Sequence, residues 1–95
     1  MSYRLRPKAR ADIRGIISFI GQHNPHAALA WQDSMTELFE LLATHPHSGA
    51  PYATDKYSVR IVPRGNYVVV YRLRDSDVVI LRIIHVARDW PKQMP

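Results

Sequence analysis

Tyr67-Val68-Val69-Val70-Tyr71-Arg72-Leu73, then Asp75-Ser76-Asp77, then Val78-Val79-Ile80-Leu81-Arg82-Ile83-Ile84-His85-Val86 is the stretch that decides the fold. β-Branched and aromatic residues crowd both apolar runs, and turn residues bound each of them, which is strand composition. The four residues between the runs, Arg74 to Asp77, are too few for a crossover, so the runs pair as an antiparallel hairpin. Upstream, Tyr57, Val59 and Ile61 alternate with Ser58 and Arg60, and Pro63-Arg64-Gly65-Asn66 turns that strand into the next. The C-terminal half is therefore an antiparallel meander. Gly49 to Asp55, rich in small residues and prolines, reads as the loop leading into it.

Towards the N-terminus the period changes from two to that of a helix. Tyr3-Arg4-Leu5-Arg6 alternates and stops at Pro7, as a short edge strand running into a helix start does. Ala9, Ile13, Ile16, Ile17 and Ile20 then recur at helical spacing up to Gly21. Asn24-Pro25 supplies a capping side chain and a proline at the first helical position. The following helix carries the stripe Ala28, Trp31, Met35, Leu38 and Leu42 and ends around His45-Pro46 and Gly49. Trp31 on that stripe reads as core facing Ile13, Ile16 and Ile20. The order β-α-α-β-β-β implies an α+β fold, an N-terminal helical hairpin packed on one face of an antiparallel sheet. Val68-Val69-Val70 and Val78-Val79-Ile80-Leu81 are apolar on both faces, and two helices cover one. The second face needs either a partner or cover from strand twist and loops.

A chain of 95 residues, 46% hydrophobic and 22% charged, is expected to form one folded domain spanning 1–95. The absence of cysteine excludes disulfides and thiolate metal sites and suits a reducing cytosol. No apolar run reaches the roughly 18 residues that span a bilayer, and no signal-peptide pattern opens the chain, so a cytoplasmic protein without a membrane partner is expected. The net charge of +5 is compatible with a solvated basic surface or with an anionic partner.

Arg60, Arg64, Arg72, Arg74, Arg82 and Arg88 all fall in the sheet half and are the candidate binding residues. Guanidinium groups suit bidentate contacts to phosphate or carboxylate, and they also shield sheet edges from aggregation. His85, Arg88 and Asp89 form a second candidate group, either a site for proton transfer and oxyanion stabilisation or an ordinary hydrogen-bond cluster. His23, His26, His45 and His47 make no metal-ligand spacing, and no phosphate loop, nucleophile elbow or cofactor motif occurs. No metal and no cofactor is expected.

Taken together, several stretches resemble the RelE/ParE toxin family, and within it the ParE branch. They are Tyr3-Arg4-Leu5 leading to Ala9-x-x-Asp12-Ile13-x-x-Ile16, then Ala27-Ala28-x-x-Trp31 and His45-Pro46-x-x-Gly49. Tyr67-x-x-x-Tyr71-Arg72 and Arg82-Ile83-Ile84-His85-x-x-Arg88-Asp89 complete the set. The resemblance implies a toxin held in check by an acidic antitoxin from the neighbouring gene, whose disordered segment folds over the toxin. It also implies one of two targets, DNA gyrase for ParE-like members or mRNA in the ribosome for RelE-like nucleases. For a nuclease, the resemblance maps the site onto Arg60, Arg64, His85 and Arg88. Ser58 stands where a lysine is common, and Trp90 to Pro95 bring no tyrosine after Arg88, so gyrase poisoning is the first expectation. A non-toxic plasmid-stabilisation partner is the third.

Overall fold

The computed structural model describes residues 1–54, 56, 58–88 and 90–94. Its elements are β1 (Ser2–Leu5), α1 (Pro7–Gly21), α2 (Pro25–Thr44), β2 (Ala50–Ala53), β3 (Ser58–Arg64), β4 (Tyr67–Arg74), β5 (Asp77–His85) and a short 3-10 turn at Trp90–Gln93. The strands form one sheet in the order β1-β5-β4-β3-β2. β1 runs parallel to β5, and every other neighbour pair is antiparallel. The architecture is α+β, with the helical hairpin ahead of a mixed sheet.

Local chemistry explains most boundaries. Pro7 opens α1, and the Asn24 side chain accepts from Ala27 N–H at 3.0 Å to cap α2 just before Pro25. The β3–β4 and β4–β5 hairpin loops have two residues each, Gly65-Asn66 and Asp75-Ser76. The first residue of each has positive φ, +59° at Gly65 and +56° at Asp75, which suits the right-handed twist of the paired strands. Ala50–Ala53, expected to be loop, is a strand instead. It borrows its order from the open edge of β3, and Pro51 is tolerated because an edge strand has one side unpaired.

The helices cover one sheet face. Ala9 of α1 and Met35, Leu38, Phe39 and Leu42 of α2 pack on Val69, Tyr71, Val78, Ile80 and Ile83. Trp31 packs against this cluster, as expected of a core residue, but at its margin, where it is half-buried. The stripe turns slightly along α2 and puts Phe39 inside as well.

The second face is covered by the chain itself. Val59, Val68, Val70, Val79, Leu81 and Ile84 form a second buried cluster, closed by Tyr52 of β2, Ile61 and Met94 behind the C-terminal turn. Of the two alternatives raised by the doubly apolar strands, self-coverage is the one realised.

One irregularity ties the layers together. β1 leaves the edge of β5 where Arg6 N–H bonds Ile80 O at 3.0 Å, and the pairing of β4 with β5 shifts register between Val70 and Tyr71. Beyond this point Asp12 of α1 takes over the exposed edge. Its carboxylate accepts from Ile83 N–H at 2.9 Å and from Arg82 Nε and Nη2 at 2.8 and 3.2 Å. A strand edge that would otherwise face outward is thus capped by a helix side chain.

Candidate functional site

The six candidate arginines divide by what holds them. Arg82 is the ion-pair partner of Asp12 and also donates to Gln93 O at 3.0 Å, so it fastens α1 and the C-terminal turn to β5. Arg60 is spent on the exit of α2. Its Nη1 donates to Gly49 O at 2.6 Å and to His47 O at 3.1 Å. Beside it the buried Tyr71 hydroxyl accepts from Gly49 N–H at 2.9 Å and donates to Pro46 O at 2.8 Å. A Cβ on Gly49 would lie 2.6 Å from the Tyr71 oxygen, so this approach requires glycine. The Pro46 and Gly49 spacing is a latch on the central strand, with a structural role that the arginine count alone conceals.

Arg72 is half-buried on β4, whereas Arg74 is exposed at the far end of the same strand. At about 3.3 Å per residue, Arg74 sits ~23 Å from Tyr67 at the near end. The remaining two, Arg64 and Arg88, belong to that near end, together with His85.

Strand register builds this end of the molecule. Arg64 pairs with Tyr67, and Tyr67 pairs with His85, so the three side chains stand in a row on the helix-facing side of the sheet. Tyr67 meets Trp31 of α2 with ring centroids 5.4 Å apart at 63°, and meets His85 at 5.1 Å and 81°. These are edge-to-face contacts. A hollow of about 460 Å³ opens beside them, lined by Phe19, Ile20, Trp31, Arg64, Tyr67 and His85 among others. A second hollow, about 400 Å³, runs along α1 past Gly15 to Arg88 and shares Phe19 and His85 with the first.

His85 Nδ1 accepts from Ala87 N–H at 2.9 Å, an interaction that shapes the turn leaving β5. Arg64 makes one hydrogen bond among the described residues, a long one of 3.3 Å to Ser34 Oγ. Arg88 is exposed, its backbone N–H bonded to His85 O at 3.1 Å. Asp89, the carboxylate expected in this cluster, lies outside the described residues, as does Tyr57 at the expected start of β3. Of the residues assigned to a nuclease site, Arg64, His85 and Arg88 come together, and Arg60 is committed to the α2 exit. The sequence reading missed Phe19, Trp31 and Tyr67 as site-forming residues. Phe19 stands off the apolar stripe of α1 and is 63% exposed, and that mismatch was the available signal. Among the described residues no three potential metal ligands gather, and no helix is long and apolar enough to cross a membrane.

Comparison with known proteins agrees with this architecture. A family model described as the ParE toxin of the type II toxin–antitoxin system parDE matches residues 3–90. The toxin RelE2 of Caulobacter vibrioides is 33% identical over 81 residues, which is 85% of this chain and 90% of that protein. The chromosomal ParDE toxin–antitoxin system of P. aeruginosa contains a chain that superposes with a TM-score of 0.75 at 25% identity, covering 90% of this chain and 96% of its own. A chain of the RelBE2 toxin–antitoxin complex of Mycobacterium tuberculosis gives 0.63 at 26% identity, covering 88% and 95%. The protein described here belongs to the RelE/ParE family of type II toxin–antitoxin toxins.

Proposed function

We propose that the chain is a ParE-type toxin that disables DNA gyrase by binding it, and that an acidic antitoxin from the neighbouring gene neutralises it. One observation carries the binding reading, the bond from Ala87 N–H to His85 Nδ1. A backbone N–H only donates, so Nδ1 is the acceptor and the proton of the neutral ring sits on Nε2. The ring then presents a donor and no free lone pair, whereas a general base needs a lone pair within reach of the proton it removes. Of the three arginines assigned to phosphate chemistry, Arg60 already serves two backbone carbonyls.

The parDE description of the matching family and the likeness to the P. aeruginosa ParDE system support the same side. Both solved relatives come from toxin–antitoxin systems, and a net charge of +5 suits an acidic partner. Ribosome-dependent mRNA cleavage is the second reading, favoured by Arg64, His85 and Arg88 lining two joined hollows and by the RelE2 name of the Caulobacter relative.

Purified toxin incubated with gyrase and supercoiled DNA is expected to trap enzyme-bound double-strand breaks, and to leave mRNA intact in a translating extract. Ribosome-dependent cuts without gyrase trapping would replace the first reading by the second. Unimpaired growth on induction without the antitoxin would favour a non-toxic binding partner.

A further inference from the structure

We propose that the paired hollows around Phe19 and His85 are the target-contact surface of the toxin, and that they receive an apolar side chain flanked by carboxylates on a protein. This rests on the reading of toxicity as binding to a protein target. Phe19 is 63% exposed at the mouth of both hollows and contributes to neither buried cluster.

Several polar groups around this surface are donors. Arg64 and Arg88 supply cations at either end, and His85 keeps Nε2–H after Nδ1 is taken by Ala87. Trp31 Nε1–H is buried and has no acceptor among the described residues. Among the described residues the hollow at Trp31 has no carboxylate in its lining, and Asp12, which lines the other, is engaged by Arg82. An occupant bearing acceptors and negative charge is thus complementary.

Ring geometry favours a protein side chain over a nucleobase. The Tyr67 ring meets Trp31 and His85 edge to face, so neither pair forms a parallel slot that would hold a base between two rings. Gly15 adds an independent sign. It lies inside α1 on the wall of the second hollow, and a Cβ there would meet nothing within 4 Å. Helix-interior glycine weakens a helix, and no close contact among the described residues requires this one. It leaves room for a partner to approach the backbone of α1.

Two variants separate this surface from the fold. Gly15→Gln fills open space on a helix with a better helix former, and Phe19→Ser removes an exposed ring. Each is expected to fold with parent-like unfolding transitions and to lose at least tenfold in growth arrest and in affinity for purified gyrase holoenzyme. Glu37→Gln, on the exposed side of α2, should match the parent. In Arg64→Gln/Arg88→Gln the residual affinity should also depend less on salt. Folded Gly15→Gln and Phe19→Ser proteins that arrest growth like the parent would overturn the proposal. If the parent leaves gyrase unaffected, the growth-arrest arm still decides the surface while the gyrase reading fails. If the variants lose ribosome-dependent mRNA cleavage together with toxicity, the occupant is RNA and the proposal is wrong.

Discussion

Replacing Asp12 by alanine tests the most concentrated polar arrangement in the molecule. The change strands the Arg82 guanidinium and the Ile83 N–H together, because one carboxylate serves both. The side chains of Arg82 and Asp12 are only 12% and 16% exposed. Removing one partner of a fully buried pair costs about 3–5 kcal/mol, and the residual exposure here lets water recover part of it. About 2–4 kcal/mol is expected, a large share of the ~5–15 kcal/mol that holds a small domain together. In a domain of this size each kcal/mol moves the midpoint by roughly 4–8 °C, so thermal unfolding followed by circular dichroism should shift down by about 10–25 °C. Arg82→Met in the Asp12→Ala background should recover part of the loss, because it removes the unpaired charge. An Asp12→Ala protein melting within about 3 °C of the parent, or strictly additive single and double variants, would show that this clamp does not hold α1 to β5.

Further expectations follow from single contacts. Tyr71→Phe leaves Gly49 N–H and Pro46 O without their partner and should cost about 2–3 kcal/mol in urea unfolding, with Gly49→Ala at least as damaging because of the 2.6 Å approach. Gly15→Ala, placed in open space, should raise stability by about 0.5–1 kcal/mol in the same assay. Trp31→Ala should cost about 2–3 kcal/mol, below the ~3–5 kcal/mol of a fully buried aromatic, because the ring is half-buried; a cost near the upper figure would place it in the core after all. His85→Asn keeps a side-chain oxygen able to accept from Ala87 N–H but carries no useful acid or base. Growth arrest by His85→Asn should stay within about tenfold of the parent, whereas a general acid or base would cost about 10²–10⁴-fold.

Elements with their own periodicity were readable in the sequence, and those whose order comes from elsewhere were not. The Ile13 to Ile20 stripe, the Asn24-Pro25 cap and the valine runs of β4 and β5 announce their geometry locally, and the structure places them as read. Ala50–Ala53 has no alternation of its own. It is a strand because β3 offers it a free edge, a fact set by residues about ten positions away. The cover over the second sheet face comes in the same way from Tyr52 and Met94, neither of which reveals its destination in sequence.

The same distinction explains why counting arginines misdirects the search for a site. Arg60 and Arg64 occupy the same face of β3 four residues apart, and nothing local separates them. What separates them is which part of α2 each one meets. Arg60 meets the segment leaving α2, where the loop carbonyls of His47 and Gly49 accept from it, and it becomes part of the fold. Arg64 lies beside a continuous stretch of helix and meets only the Ser34 hydroxyl, so it keeps its charge at the edge of an aromatic hollow. The loop that leaves a helix exposes carbonyls that draw the nearest cation into structure, and a continuous helix, whose carbonyls are already paired, does not. On a sheet packed beneath a helical hairpin, cations opposite a helix middle are therefore better candidates for function than cations opposite its end.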